Sequence, residues 1–441
     1  MRRRTFLTNL VLTQGAILSG SQVSDAANSK SSDLRLGHGK TVTEPTRQIP
    51  VIEEPDVLVI GGGPAGVTAA LAAGRAGAST LLVERYNHLG GLWTGGLVLP
   101  LLSTHALDKS GKFKQVIYGI GDEMAQKLRK MHMAIDEINP VIDPEAGKYV
   151  LDLMIRDSGV KMLYHCWASN VIIENNWIKS VILETKSGRV AVNPKMVIDC
   201  TGDGDILDMA DENYENMFYH IGLVHRLGNI DSIDKTKPGY KKLPIGNPTP
   251  IPSVNWVNMH GKDNQNGIDL YTLSDLQQKY RIDVWERVEK LKKMPGYEDV
   301  FLLDTAAQIG VRASRILDGD YQLTLKDTMT YKEFDDVIGI SGAWTSMLYD
   351  GKRVSTRERP WWQIPYRALL PKKTKNLLAA GRCFSFEKKL VEDARIIGTC
   401  IITGHGAGAA AAVAARSNSS AKDIDIKQVQ KILKEQKAFL G

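Results

Sequence analysis

The sequence predicts an α/β protein, a parallel sheet interleaved with helices and interrupted by an inserted α+β domain. Three observations carry this expectation. Val57-Leu58-Val59-Ile60, Thr80-Leu81-Leu82-Val83 and Val197-Ile198-Asp199 are short apolar, β-rich runs, the pattern of strands buried on both faces. An Ala-rich stretch of helical length separates the first two, the order of a β-α-β unit. A similar run, Asn376-Leu377-Leu378-Ala379-Ala380, returns only after a Pro-rich middle, so the parallel sheet is expected to be built from two separated parts of the chain.

The chain opens on a segment that reads as an address. Arg2, Arg3 and Arg4 precede a modestly apolar run from Phe6 to Leu18, and Ser24, Ala26 and Ala27 offer small residues for cleavage. Arg3-Arg4-Thr5-Phe6-Leu7 resembles the twin-arginine export signal, which implies passage through the twin-arginine machinery and a periplasmic or otherwise exported location. An ordinary secretory signal is the competing reading. Residues 1–27 are assigned to this signal, and the polar stretch 28–51 to a linker.

From Asp56 the character changes. The first strand runs directly into Gly61-Gly62-Gly63-Pro64-Ala65-Gly66, a helix follows from Val67 to about Ala76, and Glu84 closes the second strand. This is Gly-x-Gly-x-x-Gly in strand–turn–helix–strand–acid order, the fingerprint of a Rossmann-like dinucleotide site. Gly61 makes the tight turn, Gly63 lets backbone approach a diphosphate, and Gly66 lets helix and strand pack closely. Pro64 and Ala65 begin the helix whose free N–H groups favour phosphate. Glu84, with Arg85 beside it, is placed to accept ribose hydroxyls.

The next residues narrow the cofactor. A glycine pair, Gly90-Gly91, follows shortly before Thr94, where backbone is expected to run beside a flavin. Here the chain resembles the FAD-dependent oxidoreductases of the glutathione-reductase-like fold. Later segments resemble the branch that also contains heterodisulfide-reductase-A-like flavoproteins. They are Val197 to Asp205, with Thr201 and Gly202 in its turn; Gln308 to Arg315 with Gly319-Asp320-Tyr321; the strand ending in Gly381-Arg382-Cys383; and Arg395 to Cys400, which opens an Ala-rich helix. The resemblance spans roughly residues 56–416. It implies FAD as cofactor, with contacts from Thr201, Gly202, Gly381, Arg382, Gly398 and Thr399. Ala313 stands where the family commonly has an acid, and His405-Gly406 where it usually has Gln-Ala.

The organisation expected is a FAD-binding domain in two parts, 52–207 and 373–416, around a substrate or cap domain at 208–372. A docking helix at 417–441 ends the chain, with Val429, Ile432 and Leu433 at helical spacing. Helices are expected near Gln115–Met131, Gly147–Asp157 and Ser274–Lys293, the last with Leu276, Tyr280, Val284 and Val288 on one face.

For catalysis the candidates are Arg312, Arg315 and His405. The arginines, three apart, would share a face if helical and hold a carboxylate or the flavin edge. The alternative for the arginines is an ion pair with Asp318 or Asp320, and for His405 a satisfied core position. Arg382 would sit near the ribityl chain, and the helix start at Ile397 to Thr399 would aim positive partial charge at the flavin's pyrimidine edge.

Composition excludes other classes. The 441 residues carry 56 Lys+Arg against 50 Asp+Glu, and only 4 are Cys. That is no disulfide-dense scaffold. No Cys-x-x-Cys pair or metal-ligand spacing occurs, so no metal is expected; Cys200 and Cys383, both at strand ends, are the pair to consider for a disulfide. No Lys/Arg cluster suggests nucleic acid, and no uninterrupted apolar span suggests stable membrane insertion. The expected function is an exported FAD-dependent dehydrogenase that takes a hydride from a small polar substrate and passes electrons to a separate acceptor. The same residues leave open a reductase of an enoate or carboxylate fed by a periplasmic donor, and a non-catalytic FAD-binding or interaction protein.

Overall fold

The computed structural model describes residues 42–107, 112–342, 348–349, 352–353 and 361–441. All elements named below belong to one compact unit, Pro45–Gly441. The expected export signal lies outside the described residues, as does the linker up to residue 41.

Numbered in chain order, the first stretch forms β1 (Val51–Glu53), β2 (Val57–Ile60), α1 (Pro64–Arg75), β3 (Thr80–Val83), α2 (Ile120–Lys130), α3 (Pro144–Asp157), β4 (Lys161–Leu163), β5 (Trp167–Glu174), β6 (Trp177–Thr185), β7 (Gly188–Val192) and β8 (Met196–Asp199). The central sheet has the order β13-β8-β2-β3-β4, where β13 is Leu377–Ala379, and every pairing is parallel. Every residue of β2, β3 and β8 is buried, which is why their sequences are apolar throughout rather than alternating. A smaller sheet, β1-β7-β6-β5, lies on the same stretch of chain. Val51 and Glu53 pair with Ala191 and Val192, so the last residue assigned to the linker already belongs to a strand.

The middle stretch contributes α4 (Asp205–Met209), β9 (Tyr219–Gly228), β10 (Asn255–Gln265), α5 (Leu270–Lys292), β11 (Phe301–Thr305) and β12 (Gly310–Val311). Here β9 pairs antiparallel with β10, β11 and β12. The mixed architecture is thus the one expected: a parallel sheet flanked by helices plus an α+β part built on an antiparallel sheet. Helix α5 buries the four residues read from its sequence, Leu276, Tyr280, Val284 and Val288. At roughly 1.5–3 kcal/mol for each large apolar side chain, that stripe holds the helix on the sheet. Asp269 caps it by accepting from Thr272 N–H at 2.7 Å, which starts the helix before the expected Ser274. Helix α2 starts later than expected. Phe113–Gln115 pairs as a strand with His105–Leu107, and Gly119, at φ +62°, precedes the first turn.

The last stretch forms β13, α6 (Ile397–Ser417) and α7 (Ile426–Glu435). By length and composition α6 would cross a membrane, yet its apolar window is entirely buried within the protein. It packs on α1 at backbone distance. A Cβ on Gly404 would lie 2.1 Å from the Ala65 carbonyl oxygen, and one on Gly408 2.1 Å from that of Ala69. All four cysteines are buried and free, so Cys200 and Cys383 do not pair.

Candidate cofactor and substrate site

The glycine turn after β2 divides its work among its residues. A Cβ built on Gly61 would sit 2.4 Å from the Cys200 carbonyl oxygen at the end of β8. One on Gly66 would sit 1.7 Å from the Gly61 carbonyl oxygen, so helix and turn touch there through backbone alone. A Cβ on Gly63 meets no protein atom within 4 Å. The turn is closed on two sides and open at Gly63, beside a first turn of α1 that no side chain caps. An open backbone facing uncapped N–H groups is a seat for phosphate oxygens.

Glu84 is buried at the tip of β3, and its Oε2 accepts from Gly62 N–H at 2.5 Å while Oε1 accepts from Tyr86 N–H at 2.9 Å. Its carboxylate therefore stands over the turn. Gly90-Gly91 comes over the same place. Gly90 N–H donates to the Gly62 carbonyl at 2.8 Å, and a Cβ on Gly91 would lie 3.1 Å from Gly63 Cα. Gly90 and Gly91 have φ of +96° and +50°. Arg85 lies over Tyr86 and Trp167, 5.0 and 4.8 Å from the ring centroids, and 3.8 Å from Asp203 Oδ2. Thr94 is buried and donates its hydroxyl to the Leu89 carbonyl, which shapes the Gly90 turn rather than facing the opening.

Past β8, buried Asp199 organises the second turn. It accepts from the Thr201 hydroxyl at 2.7 Å, Thr201 N–H at 3.0 Å, Ile206 N–H at 2.9 Å and Leu207 N–H at 3.0 Å. Burial pushes its carboxyl up, and these bonds oppose the shift. Arg382 lies across Gly202, donating to the Val311 carbonyl at 2.6 Å and to Asp203 Oδ1 at 3.1 Å. Gly381 N–H donates to the Thr403 hydroxyl at 3.0 Å, which ties β13 to α6. Thr201, Gly202, Gly381 and Arg382 thus gather at the ends of β8 and β13, joined by Asp203, an acid the sequence reading did not single out.

Arg315 departs from its assigned role. Residues 312–314 are irregular backbone between the strands 310–311 and 315–317, not helix, so the three-residue step gives Arg312 and Arg315 no shared helical face. Arg315 turns inward to α4, donating to the Asp203 carbonyl at 3.0 Å, Asp205 Oδ1 at 3.1 Å and Asp208 Oδ2 at 3.2 Å. Its partners are these acids and not Asp318 or Asp320, which pair with Lys372 and Lys422. His405 is likewise directed elsewhere. It is buried eight residues into α6, about 12 Å from the helix start, with Nε2 at 2.8 Å from Gln436 Oε1. It secures the end of α7.

Arg312 instead meets residues just before α6. Its Nη1 lies 3.4 Å from Glu392 Oε1, Arg395 Nη2 pairs with Glu392 Oε2, and the Tyr219 hydroxyl donates to Glu392 Oε1 at 2.6 Å. Burial would raise the Glu392 pKa, but Arg395 and Arg312 outweigh it and hold it at about 2. His220 belongs to the same group, its Nδ1 at 2.8 Å from Asp263 Oδ1. Burial, then Arg312 and Arg395, lower its pKa, while Asp263 raises it. Arg395, which opens the Arg395 to Cys400 segment, has no role assigned from the sequence, and Glu392, three residues before it, is not singled out there. The start of α6 itself has no side-chain cap. Gly398 is packed against Ile117 and the Leu102 carbonyl, and buried Thr399 donates to the Asp393 carbonyl at 2.8 Å. Both therefore shape the helix start through packing. Among the described residues, no three His, Cys, Asp or Glu side chains are grouped to hold a metal ion.

The family model described as FAD dependent oxidoreductase matches residues 56–217 and 226–433, most of the chain. A thiamine thiazole synthase of Aeropyrum pernix is 28% identical over 163 residues, covering 33% of this chain and 54% of that protein. One from Methanococcus vannielii is 26% identical over 160 residues, 34% of this chain and 56% of that protein. The chain spans about half the length of these curated relatives. Among solved structures, a geranylgeranyl bacteriochlorophyll reductase-like protein of Thermoplasma acidophilum is 16% identical with a TM-score of 0.44, covering 87% of this chain and 83% of that one.

Proposed function

The chain belongs to the FAD dependent oxidoreductase family, and we propose that it acts as an exported dehydrogenase of small polar organic molecules. We place it in the glutathione-reductase-like branch, with residues 208–372 as the substrate-holding part and electrons passing to a separate acceptor. The observation that carries the FAD reading is the turn closed at Gly61 and Gly66 and open at Gly63, with Glu84 above it. Those residues fit the group: the Gly63 backbone and the start of α1 take the diphosphate, and Glu84 takes ribose hydroxyls. Bound FAD supplies the two-electron acceptor for the oxidation. The uncapped start of α6 offers positive partial charge beside the Arg312–Glu392–Arg395 group, which favours negative charge developing there. Glu392, held ionised, is too weak a base to take protons and instead orients Tyr219 and both arginines.

Export rests on Arg3-Arg4-Thr5-Phe6-Leu7. Replacing Arg3 and Arg4 with lysine is expected to strand the protein in the cytoplasm; export unchanged in a strain lacking the twin-arginine translocase would overturn that route. For the chemistry, the purified protein is expected to show yellow flavin absorbance that bleaches anaerobically with one class in a panel of sugars, alcohols, amines and hydroxy acids. A protein left colourless after reconstitution with FAD would refute the function. The arginines beside α6 also favour the reverse reaction, reduction of an enoate, for which reoxidation of chemically reduced protein by enoates, without bleaching by any donor in the panel, is the expected result.

A further inference from the structure

Arg312 and Arg395 bring two guanidinium groups to one ionised carboxylate. Arg312 reaches Glu392 through Nη1 and Arg395 through Nη2, so each fork is only partly used. The Nε atoms of both are buried without a partner. The neighbouring acid, Asp393, offers no compensation. It is buried, its Oδ2 has no partner, and desolvation followed by repulsion from Glu392 drives it toward the protonated form. Two guanidinium groups thus share one ionised carboxylate, Asp263 being the further acid that acts on Arg312, and their Nε donors are left without partners where water is scarce, an arrangement that a bound anion completes. The side chains keep some access, with 22% of Arg312 and 17% of Arg395 exposed.

An imidazole stands beside them. Asp263 holds His220 at Nδ1, while its Nε2 is buried with no partner. The charged groups facing it are Asp263, Arg312 and Arg395. A ring oriented by a carboxylate, with its other nitrogen unengaged, is the arrangement of a general base.

We propose that Arg312 and Arg395 seat the carboxylate of a small 2-hydroxy acid whose hydroxyl faces His220 Nε2. This rests on the dehydrogenase reading and names its substrate class. In the reaction the C2–H hydrogen leaves with its electron pair to FAD, the hydroxyl proton passes to His220 Nε2, and the C2–O bond becomes the carbonyl of a 2-oxo acid. Two electrons leave the acid and two enter the cofactor. Arg312 and Arg395 are substrate-binding residues, Glu392 holds them at their spacing, and Asp263 is a positioning residue that acts through His220.

The test is calorimetry on the purified protein with glycolate, lactate, malate and mandelate, each against its amide, and with acetate. At least one hydroxy acid is expected to bind ten times more tightly than its amide. Arg312→Gln and Arg395→Gln are each expected to weaken that acid at least tenfold, and the exposed Arg156→Gln to leave it unchanged. Acids that bind no better than amides overturn the seat, and this comparison needs no variant to fold. Anaerobic mixing follows flavin colour: the acid is expected to bleach it and acetate only to perturb it. His220→Gln is expected to slow bleaching more than tenfold, to leave acid binding within twofold, and to flatten the pH dependence of bleaching. Unchanged bleaching in His220→Gln overturns its role as base. A colourless protein that still binds the acids refutes the FAD reading and leaves the seat standing, whereas a yellow protein blind to carboxylates does the reverse.

Discussion

Gly63 and Gly66, three residues apart in one turn, make opposite predictions. Gly66 touches backbone, and a methyl group there would have to displace the Gly61 carbonyl, so Gly66→Ala is expected to lower stability by about 1–3 kcal/mol or to prevent folding. Gly63 faces open space at an ordinary φ of −68°, so Gly63→Ala is expected to cost no more than about 1 kcal/mol as a helix-cap change. It fills the phosphate seat instead. Its bound flavin, measured as the flavin-to-protein absorbance ratio after reconstitution, is expected to fall at least tenfold while its urea midpoint stays near that of the parent. Spacing and order alone distinguished these glycines in the sequence, because a strand running into a helix start has one geometry. Arg315 was not legible in the same way. Its spacing from Arg312 carries meaning only once the local period is known, and a strand sends it to Asp205 and Asp208.

At the scale of elements, the contact between α1 and α6 is made by absent side chains. Gly404→Ala and Gly408→Ala would each gain about 1 kcal/mol in helix propensity. Each would also place a methyl group 2.1 Å from a carbonyl oxygen of α1, and backbone does not swing aside as a long side chain does. The clash is expected to win, with a net loss of about 1–2 kcal/mol per substitution in urea unfolding and a larger loss for the pair. The four-residue step of these glycines is visible in the sequence, as is the Leu276, Tyr280, Val284, Val288 stripe of α5. The start of α2 is not, because whether Phe113–Gln115 joins a helix or a strand depends on its pairing with His105–Leu107.

Across the whole molecule, the chain end is tied back to its beginning through one histidine. His405 Nε2 meets Gln436 Oε1, and Gln436 Nε2 donates to the Ala72 carbonyl of α1 at 3.0 Å. Burial lowers the His405 pKa to about 4, and Gln436 only partly opposes the shift. The folded state therefore resists a proton that the unfolded chain accepts near pH 6.5. Above that pH both states are neutral and the full stability is present; as pH falls from about 6.5 to about 4, the unfolded chain binds the proton first and stability declines. The loss from this residue is expected to be at most about 3 kcal/mol. Urea unfolding at pH 7.5 and pH 4.5 measures it, and His405→Gln is expected to shrink the difference. An equal decline in parent and variant would assign the acid sensitivity to other groups, His225 among them, whose pKa burial also lowers to about 4.

The sequence by itself determined the cofactor class and the elements around it. A buried parallel strand, a glycine turn, a helix and an acid are consecutive in the chain, and their geometry follows from local backbone rules. Only the tertiary structure decided which charged groups meet. Arg312 reaches Glu392 80 residues away, Tyr219 reaches it across 173, and His405 closes on Gln436 instead of the helix start. Long-range ion pairs carry no period and no spacing, since they depend on which strand ends and helix starts are folded side by side. The glycines were readable because each obeys its immediate neighbours; Arg312 and Arg315 were not, because each answers to a partner from another part of the fold.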